Sequence, residues 1–171
     1  MKRKNAKLNR KNTLFFNKKG FGLIEIIISA AIITISFVAV TSFILFARSA
    51  TLQAQRNTEA LSLAEEALEV VRKMRDDGWA ANIANKTSGT TYYPTVSGNS
   101  WVLQTTNPSP TSYYTTTIVF SNTSRDASDN IVTSGGTNDP DTKKVVATVS
   151  WSDSGTKTVT ITTYITNFDN T

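Results

Sequence analysis

The chain has 171 residues, no Cys, no His and a formal net charge of +5, from 18 Lys or Arg against 13 Asp or Glu. These numbers exclude a disulfide framework and a thiolate nucleophile or metal site, and they remove the commonest general base. The length fits one domain of ordinary size with accessory segments.

The charge is unevenly placed. Residues 1–20 hold Lys2, Arg3, Lys4, Lys7, Arg10, Lys11, Lys18 and Lys19 and no acid. The remaining chain therefore carries ten basic against 13 acidic residues, about −3. A nucleic-acid site needs its positive charge on the folded domain, so none is predicted. The basic arm instead precedes an apolar run, as cytoplasmic flanks of membrane segments do.

From Ile26 to Ala47 the chain has 22 residues without a charge. As a helix at ~1.5 Å per residue they extend roughly 33 Å, against a hydrocarbon core of ~30 Å. Ser29, Thr34, Ser36, Thr41 and Ser42 dilute the run, but their hydroxyls can bond back to helix carbonyls. The pattern predicts a membrane-crossing half-helix over 21–47.

Residues 48–78 turn amphipathic. Leu52, Leu61, Ala64, Leu68, Val71 and Met74 mark the expected apolar face. Glu69 precedes Lys73 by four residues, the favourable order for a helical ion pair. Gly78 is the expected stop, giving one helix of about 55 residues.

After Gly78, Thr, Ser, Asn and Gly dominate. Strands are predicted at 101–104, 112–120, 131–133, 143–151 and 157–166, with loops at 82–100 and 121–142. Val145, Ala147, Val149 and Trp151 share one strand face, and Val159, Ile161, Thr163 and Ile165 another. Ser152 to Thr156 is the expected hairpin connection. The fold class is α+β: a long N-terminal helix whose amphipathic half covers a small antiparallel sheet in residues 79–171.

One short stretch carries the functional reading: Lys18-Lys19-Gly20-Phe21-Gly22-Leu23-Ile24-Glu25-Ile26-Ile27. It resembles the processing site of type IV prepilins and of type II secretion pseudopilins. In that family a basic leader ends in glycine, an apolar residue begins the mature chain, glutamate stands fifth, and an apolar helix follows. An acid there is notable, since a carboxylate at a bilayer centre costs roughly 2.5–3.5 kcal/mol, less near the edge.

The resemblance implies cleavage between Gly20 and Phe21 by a prepilin peptidase, N-methylation of Phe21 by the same enzyme, and a pilin-like fold. It implies further partners: other pilin or pseudopilin subunits, an inner-membrane assembly platform, and the membrane itself. Cleavage removes eight cations and frees an α-amino group on Phe21. Glu25 of a neighbouring subunit can pair with that amine and fix register in a medium of low dielectric. The leader stays cytoplasmic and the globular domain outside, first as a single-pass protein, then in a surface or periplasmic filament.

The stretch from Ala60 to Arg72 is similar to minor pilins of the modification-protein type. Gly22 stands where many members have Thr, the apolar half lacks Gly and Pro after Gly22, and a C-terminal disulfide loop is impossible. These departures point to a minor pilin or pseudopilin.

Other features carry less. Asp126, Asp129, Asp139 and Asp141 lie in an oxygen-rich region that a calcium ion could use, without a recognised ligand spacing; no other cofactor is expected. Trp79, Tyr92, Tyr93, Trp101, Tyr113 and Tyr114 fit sheet packing better than an adhesive surface. No spacing joins a nucleophile to a base, so no enzyme is expected. The alternative functions are an anchored surface-binding domain that never polymerises, and a secreted protein whose apolar run is a signal peptide. The run is too long for the second.

Overall fold

The computed structural model describes residue 20 and residues 22–168. They divide into two compact units at Arg48/Ser49. In the first unit the backbone becomes helical at Leu23, the start of α1 (Leu23–Asp76).

The second unit holds the rest of α1 and six strands: β1 (Thr91–Ser97), β2 (Ser100–Gln104), β3 (Tyr114–Arg125), β4 (Ile131–Val132), β5 (Thr137–Ser152) and β6 (Thr156–Thr166). The sheet order is β2-β1-β3-β5-β6, every pairing is antiparallel, and β4 lies on the β1 side of β3. This is the predicted α+β arrangement of a long helix on an antiparallel sheet.

The helix buries Ala60, Ala64, Ala67, Leu68, Val70, Val71 and Met74. Small residues come first and larger ones later. Ala60 and Ala64 pack with Val149 and Trp151. Leu68, Val71 and Met74 belong to a larger cluster with Ile118, Phe120, Val145, Ala147 and Ile165. The expected strand face of Val145, Ala147, Val149 and Trp151 is buried throughout.

Two residues of the expected helix face are corrected. Leu52 and Leu61 are 42% and 43% exposed. Residues 60, 64, 67, 71 and 74 already complete the stripe, and Leu61 sits one residue, ~100°, away from it. The expected Glu69–Lys73 pair is also replaced. Glu69 bonds Arg72 one helical turn on, and Lys73 lies 3.3 Å from Asp77.

The helix ends as expected at Gly78, whose N–H donates to the Arg75 carbonyl at 3.0 Å. A single π-helical turn, Ala80–Ala84, follows and buries Trp79 and Ile83. Asn82 Nδ2 donates to the Met74 carbonyl at 3.0 Å, satisfying a terminal carbonyl of α1.

The two predicted loops are partly strand. Residues 91–97 form β1, although Pro94 argues against a strand. Beyond Tyr92 no pairing joins β1 to β3, and a strand with one open side tolerates proline. Residues 121–125 and 137–142 extend β3 and β5 across a bulge. Asn122 faces Lys143 while Thr123 faces Asp139, so Pro140, Asp141 and Thr142 are extra on β5. A bulge is the other place that accepts proline within a sheet. The hairpin from β5 to β6 is the expected one: Ser152 pairs with Thr156, and Ser154 and Gly155 adopt positive φ.

Candidate functional site

Gly20 and Gly22 flank the entry to α1. The Gly22 carbonyl accepts from the Glu25 N–H at 3.0 Å and from the Ile26 N–H at 3.3 Å, closing the first turn. Glu25 is the acid of that turn, where the helix dipole favours a negative charge. A Cβ at Gly20 would meet no described atom within 4 Å. Phe21 and the basic leader, Lys2 to Lys19, lie outside the described residues.

The apolar half of α1 shows its side chains on every side. Leu23 is 77%, Phe37 73% and Phe46 71% exposed within the chain. An 18-residue window here reaches a mean hydropathy of 2.6 with none of it buried. Soluble monomers rarely expose continuous apolar patches beyond a few hundred Å², so this surface has another environment, lipid or other helices. Three of its hydroxyls turn inward: Thr34 to the Ala30 carbonyl at 2.8 Å, Ser36 to Ile32 at 2.8 Å, Thr41 to Phe37 at 2.9 Å. No backbone or hydroxyl donor at these positions is left facing outward.

The four aspartates weighed for calcium are held by protein groups. Asp126 Oδ1 accepts from the backbone N–H of Ser128 and of Asn130, both at 2.9 Å. The Asn130 bonds hold its carboxyl below the ordinary value. Asp139 accepts from Arg125 Nε at 2.6 Å and from the Asp141 N–H at 2.9 Å. Burial pushes the Asp139 carboxyl up, but the bonds from Arg125, Thr142 and Asp141 outweigh it and leave it lowered. Asp129 lies 3.6 Å from Arg125 Nε, and Asp141 accepts from Asn167 Nδ2 at 3.0 Å. Among the described residues, no three His, Cys, Asp or Glu side chains converge as metal ligands.

The aromatic residues divide. Trp79 and Tyr92 are buried, Tyr92 edge-on to Phe120 with centroids 5.7 Å apart. Tyr114 sits edge-on to Trp151 at 5.8 Å, and Trp101 packs on the main core. Tyr113 remains 49% exposed, with the Arg56 guanidinium 5.8 Å from its ring centre. Sequence reasoning missed the ion pair between Arg56 on α1 and Asp153 in the β5–β6 hairpin. Partners 97 positions apart leave no local signal.

The site is thus one exposed apolar helix with a single acid in its first turn, five residues past Gly20. No curated protein and no solved structure matches the chain significantly. Residues 15–41 match the family described as the prokaryotic N-terminal methylation motif. That match gives the chain the signature of prepilins and pseudopilins, and it lies at the head of a long helix whose residues 60–74 pack on the sheet.

Proposed function

We propose that the chain is a structural subunit, a minor pilin or pseudopilin, of a type IV pilus or a type II secretion-like filament. The observation that carries this reading is Glu25, alone in the first turn of an exposed apolar helix, five residues after Gly20. A peptidase that cuts after glycine accounts for Gly20 at the end of the basic leader. The cut at Gly20–Phe21 takes away the eight leader cations, which would otherwise enter the filament core. It also creates the α-amino group of Phe21, the site of N-methylation. Glu25 of a neighbouring subunit neutralises that amine where lipid has been replaced by packed helices. The unbroken apolar half and the missing cysteines support a minor pilin or pseudopilin over the main shaft protein.

The mature N-terminus tests the reading. Mass spectrometry of the protein from cells that hold a prepilin peptidase should find a chain starting at methylated Phe21. An intact leader in such cells overturns it.

A further inference from the structure

The face of the sheet turned away from α1 carries a concavity at the end nearest the β5 bulge. Phe120, Val145 and Ile165 point to the core. Their neighbours Ser121, Lys144 and Tyr164 therefore point outward, and they stand in direct register across β3, β5 and β6 as one row. Residues 133–136 carry the chain from β4, on one side of β3, to β5 on the other. They cross so close to β3 that a Cβ on Gly136 would meet the Arg125 carbonyl. This crossing walls the row on one side. The space between is about 220 Å³, lined among others by Ser121, Thr123, Val132, Thr133, Lys144 and Tyr164.

The polar groups around this space have no partners of their own. Thr123 is 3% exposed, and its hydroxyl oxygen is buried without a hydrogen bond. Among the described residues, the Lys144 ammonium makes no ion pair and no hydrogen bond, and the hydroxyls of Ser121, Thr133 and Tyr164 make none either. No carboxylate lines the space. The acids of the adjoining bulge and turn, Asp139 and Asp129, lie against Arg125 instead.

This chemistry selects a ligand. One ammonium without an acid matches one carboxylate better than a phosphate ester, whose charge is about −1.5 to −2. Hydroxyls that both donate and accept suit the hydroxyls of a sugar ring. Tyr164, 44% exposed, sets an aromatic face beside Lys144. The volume is below the ~300–1,000 Å³ typical of pockets for larger ligands, which favours a single ring.

We propose that this concavity binds one acidic sugar unit, a hexuronate. Its carboxylate meets Lys144 Nζ, its ring lies on Tyr164, and one of its oxygens supplies the partner that the Thr123 hydroxyl lacks. The site is independent of cleavage at Gly20 and of assembly.

The full chain in detergent micelles, titrated with sodium glucuronate and sodium galacturonate and followed by saturation-transfer NMR, tests this. Glucose and acetate serve as the neutral sugar and the bare anion. At least one uronate should bind, with saturation at its ring protons. Lys144→Gln and Tyr164→Ala should each weaken binding about tenfold or more. Lys157→Gln, at the far end of β6, should leave it unchanged. Thr123→Val keeps the shape and removes the buried hydroxyl, so it should weaken binding severalfold without lowering the melting temperature. Acetate binding as well as the uronates do overturns the sugar, and glucose doing so overturns the charge. No response to either uronate, or a response that survives Lys144→Gln, overturns the site.

Discussion

The hydroxyl of Tyr114 on β3 donates a hydrogen bond of 3.0 Å to the carboxylate of Glu59 on α1. The ring stands edge-on to Trp151, which in turn covers Ala60 and Ala64. One tyrosine thus ties the beginning of the helix–sheet contact to the start of β3. Burial first, and the bond to Glu59 second, push the Tyr114 phenol up to about 12. Folding therefore favours the neutral phenol. Its contribution is complete below the ordinary value near 10 and is lost as pH rises toward about 12. A phenolate absorbance titration of the folded protein, compared with Tyr114→Phe, should lose its latest-ionising component in the variant. Glu59→Gln should shift that component to lower pH.

Acid tests the other end of the sheet. Arg125 holds Asp139, the Asp129 carbonyl and the Thr142 hydroxyl, and so clamps the bulge of β5. Asp139 is lowered, so the stability it supplies is present above the ordinary carboxylate range. That stability disappears as pH falls through its depressed value. Thermal unfolding followed from neutral pH downward should show a steeper acid loss in the native chain than in Asp139→Asn. Equal slopes would remove this aspartate from the account.

The corrected helix face gives a contrast between two leucines. Leu68 is 4% exposed and Leu61 43%. Leu68→Ala should cost about 2–5 kcal/mol in denaturant unfolding, and Leu61→Ala within about 0.5 kcal/mol. Ala64, fully buried against Trp151 and Val149, should resist enlargement, with Ala64→Leu costing about 1–3 kcal/mol. Similar losses for Leu61 and Leu68 would put the contact on the wrong side of the helix.

Gly135 and Gly136 separate conformational strain from collision. Both have positive φ, at 71° and 76°. A Cβ on Gly135 meets nothing within 4 Å, while one on Gly136 would stand 2.5 Å from the Arg125 carbonyl oxygen. Gly135→Ala should cost about 1–2 kcal/mol from backbone strain alone. Gly136→Ala should cost clearly more, because the obstacle is backbone. Matching melting temperatures for the two variants would contradict that approach.

For the proposed filament role, Glu25→Ala should leave cleavage at Gly20 intact and abolish or strongly reduce incorporation into filaments. The two readouts are the mature N-terminus and the amount of subunit in sheared filament fractions. Normal incorporation would leave Glu25 with only its local place in the first helical turn.

Much of this architecture is legible in the chain because its signals are local. Charge vanishes between Glu25 and Arg48, which marks the apolar half. Alternation from Val145 to Trp151 and from Val159 to Ile165 marks β5 and β6, and their hairpin residues sit between them. What the sequence hides depends on pairing. Residues 82–100 and 121–142, which hold Pro94 and Pro140, read as loops until β1 is seen to have an open side and β5 to bulge. Leu61 reads as core until Ala60 and Ala64, rather than Leu61, are found against Trp151. The candidate site follows the same rule. Gly20, Phe21 and Glu25 are adjacent in the chain and could be named from it.

The inward bonds of Thr34, Ser36 and Thr41 have a consequence for transfer between environments. Each hydroxyl is already satisfied by its own helix, so it needs no water in hydrocarbon and no partner in a bundle. Apart from Glu25, Ser29 and Ser42, the outer surface of residues 23–47 then consists of methyl and methylene groups and aromatic rings in either setting. Leaving lipid for packed helices breaks none of these three bonds. Such a stretch can be withdrawn from a bilayer without a polar toll at these three residues, and what it gains there on arrival comes from close contact.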